Sequence, residues 1–169
     1  MTTTTAPITP ITPAQKRIAE QLVQGLTNSE IASEEHLSRG TVSSHVRDMR
    51  QNLHCPPRSS RPFLAHALLM HRQVAVPPLS PLQPSFTADE TQKRLLKAIA
   101  EHSSPADIAR AAKIALADVK PLTEDLVRAA GATDATQLVG WGHALGLLGE
   151  GGQDTTDLPA AAASEGAAR

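Results

Sequence analysis

Residues 28–53 read NSEIASEEHLSRGTVSSHVRDMRQNL. Val42, Val46, Met49 and Leu53 follow a 4-3-4 spacing, which places them on one face of a helix. Upstream, Thr27-Asn28-Ser29-Glu30 offers capping residues for a short helix, and Ser38 is placed as the N-cap of the longer one. Glu35-His36-Leu37 leaves only a tight connection between the two. Ala32 is small where the helices cross, and Leu37 and Val42 are expected to lock the second helix against the first. The stretch predicts a helix-turn-helix, a unit whose second helix can lie in a DNA major groove.

Working outward, Ile18 and Leu22 sit four residues apart on a preceding helix. A fourth helix is expected from Ser60 to His71, with Pro62 allowed in its first turn. A second block then repeats the first at an offset of 77: Lys16-Arg17-Ile18 matches Lys93-Arg94-Leu95, and Leu22 matches Ile99. Ile31-Ala32 matches Ile108-Ala109, Leu37 matches Ile114, and Val42 matches Val119. Met49 matches Leu126, and His66-Ala67-Leu68 matches His143-Ala144-Leu145. Such repetition means two copies of one supersecondary unit. The third helix of the second block would span Ala115–Ala130. Pro121 would cost it a hydrogen bond if it began at Ala115, so a start near Asp118 is the alternative. Trp141, between Gly140 and Gly142, is expected in the core or at an interface.

The expected fold class is all-α: two tandem four-helix helix-turn-helix domains joined by a Pro-rich linker. Residues 1–10 form a disordered arm, 11–71 the first domain, 72–85 the linker, 86–148 the second domain and 149–169 a disordered acidic tail. The linker carries Pro77, Pro78, Pro81 and Pro84, which favour a semi-rigid polyproline spacer. Blocks of about 60 residues stand near the lower limit for an independent core.

Composition narrows the function classes. The 169 residues carry 16 basic and 17 acidic side chains. Aromatic content is 2%, too little for base-stacking recognition of single strands or for a large β-sandwich. The charge is uneven: residues 1–85 hold 8 basic and 5 acidic residues (+3), 86–148 hold 7 and 8 (−1), and 149–169 hold 1 and 4 (−3). A modestly basic block is thus joined to a neutral block and an acidic tail. Met1–Pro13 carries no basic residue or apolar run, and no stretch reaches the ~18 apolar residues of a membrane helix. A cytoplasmic, nucleoid-associated protein with no membrane partner is expected. No GxGxxG, P-loop, GxSxG or HExxH motif occurs. Cys55 beside His54 lacks an evident activating setting, and His54, His66 and His71 meet no recognised ligand spacing. No catalytic residue, metal or cofactor is expected.

Ile11-Thr12-Pro13, the run Gln24–Ala32, Leu37-Ser38, Thr41-Val42, His45 and Leu53 together resemble the LuxR/NarL/GerE class of bacterial DNA-binding domains. The resemblance covers 11–71 and implies four helices, the third reading DNA and the fourth used for dimerisation. Glu35 and Ser43 depart from it: an apolar residue and often a lysine stand there in the family. Arg39, Ser43, Ser44, Arg47 and Arg50 on the third helix are the base-contact candidates, since Arg bonds guanine bidentately and Ser bonds several base edges. Thr27, Asn28, Thr41 and His45 are the phosphate-contact candidates, by resemblance. The second block is read as a degenerate copy for interaction or dimerisation. Its Lys120 restores the basic residue missing at Ser43, while Glu124 and Asp125 stand at the positions of Arg47 and Asp48.

Together these readings predict a sequence-specific double-stranded DNA-binding transcription regulator, acting as a homodimer and reading the groove with helix 38–53. The alternative is an interaction adaptor that docks RNA polymerase or another regulator without specific DNA binding.

Overall fold

A computed structural model describes residues 7–79 and 86–149 of the chain, and among them every regular element is helical. Helix α1 spans Pro13–Val23, α2 Asn28–Glu34, α3 Arg39–Asn52 and α4 Arg61–Met70. Polar caps fix each start. Thr12 and Thr27 form reciprocal capping boxes with Gln15 and Glu30. The Thr41 N–H donates to Ser38 Oγ at 3.0 Å, and the Phe63 N–H to Ser60 Oγ at 3.2 Å. Each bond satisfies an amide that lacks a partner within the helix.

The α2–α3 connection closes through His36 in the left-handed region (φ 56). There the Leu37 N–H donates to the Ala32 carbonyl at 2.8 Å. One expectation is corrected here: Leu37 is 38% exposed and does not lock the helices. Ile31 and Val42, both at 0% exposure, do so instead. The backbone bond already closes the turn, so the Leu37 side chain is not needed as a wedge.

In the second half, α5 spans Glu90–Glu101, α6 Pro105–Ala112, a 3-10 turn Leu116–Asp118, α7 Val119–Ala130 and α8 Ala135–Ala144. Pro121 is the third residue of α7, within the first turn, where its missing N–H costs no helix bond. The starts of α1, α2 and α3 lie 77 residues before those of α5, α6 and the 3-10 turn. The fourth pair breaks that register, because Arg61 and Ala135, the first residues of α4 and α8, are 74 apart. The loop before α4 runs over 53–60, and the loop before α8 only over 131–134. The sequence match of His66-Ala67-Leu68 to His143-Ala144-Leu145 is therefore not the structural one. Buried Leu64 and Ala65 correspond to buried Leu138 and Val139, whereas Leu145 is 39% exposed and Leu68 fully buried.

The two halves share one core. Ile18, Leu22 and Met49 belong to the same buried cluster as Leu64, Leu96, Leu126 and Leu138. Helix α4 packs on α8 and α5, and α1 packs on α8. Trp141 is buried in this cluster. Pooling two cores of about 60 residues raises the buried fraction that each would reach alone. Gly140 permits the closest approach: a Cβ there would stand 2.7 Å from the Val23 carbonyl oxygen and 3.1 Å from Pro77 Cγ.

That contact also corrects the linker. Residues 72–79 are not a free spacer, since Val74 and Pro77 are buried and Gln73 Oε1 accepts from the Ile11 N–H at 3.1 Å. The arm is corrected in the same way at residues 7–10. The Thr9 N–H donates to the Asn52 carbonyl at 2.9 Å, and Ile8 packs on the core. Residues 1–6, 80–85 and 150–169, including most of the expected acidic tail, lie outside the described residues.

Candidate nucleic-acid interface

Helix α3 buries Val42, Val46 and Met49 against the core and leaves a polar side outward. Of the base-contact candidates, Arg39, Ser43 and Arg47 are exposed and Ser44 is half-exposed. Arg50 differs. It is half-buried, its Nε is buried without a partner, and burial lowers its pKa, opposed by Cys55. Burial also raises the Cys55 thiol, which keeps it in the less nucleophilic protonated form.

Three of the phosphate-contact candidates, Thr27, Asn28 and Thr41, lie at helix starts. Thr27 caps α2, and its N–H donates to Glu30 Oε2 at 2.7 Å, which together with the Thr27 hydroxyl lowers the Glu30 carboxyl pKa. Asn28 Nδ2 donates to Ser43 Oγ at 3.2 Å, so the α2 start and the face of α3 meet directly. Thr41 is exposed, with its hydroxyl 2.8 Å from that of Ser38. His45 is half-buried, and its Nδ1 is buried without a partner. Exposed amides and hydroxyls at helix starts favour anions.

Two supporting residues escape a reading by spacing. Arg61, at the start of α4, donates to the Leu26 carbonyl and to Asn28 Oδ1. It thereby fixes the loop that presents α2, and burial lowers its pKa. A cation at a helix N-terminus is electrostatically disfavoured, and that was the one available signal that Arg61 has a partner elsewhere. Glu35 is the second: it pairs with Arg17 at 3.1 Å and accepts from Gln21 Nε2. The acid that replaces an apolar turn residue is thus bound to α1, not to Arg47 or Arg50.

On α7, Lys120 is exposed and lies 4.0 Å from Glu124, and Arg128 pairs with Asp125 at 2.8 Å. Acid and base balance there, whereas α3 holds three arginines against the single acid Asp48. Among the described residues no three His, Cys, Asp or Glu side chains are grouped to hold a metal. No described helix is long and apolar enough to cross a membrane.

The capped pair α2–α3, its tight left-handed turn and the outward basic face of α3 define a helix-turn-helix unit. Residues 9–61, about a third of the chain, match the family model described as GerE, bacterial regulatory proteins, luxR family. That segment is a LuxR-type helix-turn-helix domain, a kind found in DNA-binding transcription regulators. The match does not extend to the second half. Neither the curated proteins nor the solved structures contain a match to the chain.

Proposed function

We propose that the chain is a sequence-specific regulator of transcription that reads double-stranded DNA with α3. The observation that carries this reading is the family match over the segment whose α3 leaves Arg39, Ser43 and Arg47 exposed. Arg47 and Arg39 supply guanine-directed donors, with Ser43 and Ser44 between them. Thr27, Asn28, Thr41 and His45 set the register on phosphates. Arg50 acts at the edge of this face, because its Nε faces inward.

The second half serves as a degenerate partner unit. Its balanced α7 surface offers phosphate little attraction, so Lys120 adds at most a peripheral contact. The homodimer expected from half-site symmetry must use a face other than the α4–α8 contact, which is already filled within one chain.

Selection from random duplex DNA with the full chain tests the reading. Enrichment of one motif, lost with Arg47→Ala at unchanged melting temperature, is the expected result. Equal enrichment by both proteins removes α3 as the reader. No enrichment by the unaltered chain returns the function to a protein-docking adaptor.

A further inference from the structure

A cavity of about 660 Å³ lies on the second half, with Ser60 and Pro62 of the first half at its edge. In the first half, Arg50 on α3 and Arg61 at the start of α4 are both half-buried, and Arg61 is tied to Leu26 and Asn28. The residue 77 positions after Arg50 is Val127, and the first residue of α8, matching Arg61 in α4, is Ala135. Two long guanidinium side chains are thus replaced by a valine and an alanine. Both line the cavity, together with Ile108 and Val119. Its size falls within the range of small-molecule sites, about 300–1,000 Å³.

The wall chemistry selects the ligand class. Of the charged groups at the rim, Lys120 pairs with Glu124, Arg128 with Asp125, and Asp134 Oδ1 accepts from the Gln137 N–H at 2.8 Å. The charges of the lining, Lys120, Glu124, Arg128 and Asp134, sum to zero, and each has an opposite charge or a hydrogen-bond donor beside it. The remaining polar lining is hydroxyl, from Thr123 and Thr133 and from Ser60 and Ser103, where the Ser60 N–H donates to Ser103 Oγ at 3.0 Å.

We infer that this cavity binds a neutral, mainly apolar small molecule carrying a hydrogen-bonding group. Its occupant lies against Ser60, one residue from the Arg61 that holds Asn28 at the α3 face. Binding in the second half therefore bears on the residue that positions the candidate reader.

The neutral fluorophore N-phenyl-1-naphthylamine, titrated into the full chain without DNA, tests the inference separately from the DNA reading. Saturable one-site enhancement is expected, weakened at least tenfold by Val127→Phe, which fills the cavity. Absence of saturation, or equal binding by a folded Val127→Phe variant, overturns it. Amide chemical-shift mapping on the unaltered chain needs no variant. Perturbations centred on residues 119–135 with Ser60 and Ser103 support the site, and perturbations centred elsewhere overturn it.

Discussion

Helices α3 and α7 occupy matching places in the chain and differ in how they start and what they carry. Helix α3 begins on a serine that accepts from an amide three residues on, and it shows arginines outward. Helix α7 begins on a 3-10 turn with no side-chain cap, and its bases pair with its own acids. The same contrast recurs underneath: Arg50 and Arg61 are half-buried in the first half, while Val127 and Ala135, in the corresponding places, line a cavity. A helical layout constrains apolar positions far more tightly than polar ones. One half keeps an outward basic helix face, while the other pairs its charges and borders a cavity.

The largest expected effect addresses the shared core and its register. Leu68→Ala is expected to cost about 2–5 kcal/mol, because its side chain is fully buried between the halves. Leu145→Ala, its partner at offset 77 but 39% exposed, is expected to cost less than about 0.5 kcal/mol. Denaturant melts of the two variants check this, and equal losses would restore the offset of 77 in the fourth helices. Because the core is common, a single unfolding transition is expected.

Next in size is the contrast between the two third helices. Arg47→Ala is expected to weaken specific DNA binding by about 1–3 kcal/mol, while Glu124→Ala leaves it unchanged. Paired gel-shift titrations at fixed salt measure both. A loss with Glu124→Ala would assign the second half a direct part in recognition.

A third test concerns the contact between α4 and α8, where His66 Nδ1 lies 2.9 Å from His143 Nε2. Burial holds His143 at about 4, with His66 adding to the effect. Burial also lowers His66, with Glu101 opposing and His71 adding. Unfolded histidine titrates at about 6.5, so between that pH and about 4 the unfolded chain binds more protons than the folded one. Stability is then expected to be full above about pH 6.5 and to fall as pH drops toward the folded values. Melts across this range check the slope, and His143→Phe should flatten it.

The smallest effect concerns the caps. Ser38→Ala is expected to cost about 1 kcal/mol, and Ala115→Ser, at the matching position, to gain no more than that. Thermal melts of both variants would show whether the second half lost stability by losing its cap.

Much of this was legible in particular residues. Thr27, Ser38 and Ser60 marked helix starts, and Val42, Val46, Met49 and Leu53 marked one buried face, because capping and periodicity act within a few residues of chain. The outward side of α3 followed from the same pattern. Leu37 misled, because apolar character predicts burial only where a neighbour needs filling, and a backbone bond had already closed the turn. The half-burial of Arg50 was not legible, since helical spacing does not say how far a long side chain folds back.

The sequence by itself determined the local elements: two runs of four helix-forming stretches, the caps at Thr27, Ser38 and Ser60, the helix-turn-helix and its basic face. Tertiary structure alone decided that the halves share a core, that the fourth helices align at 74 and not 77, and that His66 meets His143. It also decided that Arg61 reaches the α2 loop, and that a cavity opens where two arginines are missing. These features depend on groups far apart in the chain, brought together only when packing fixes the loops between them.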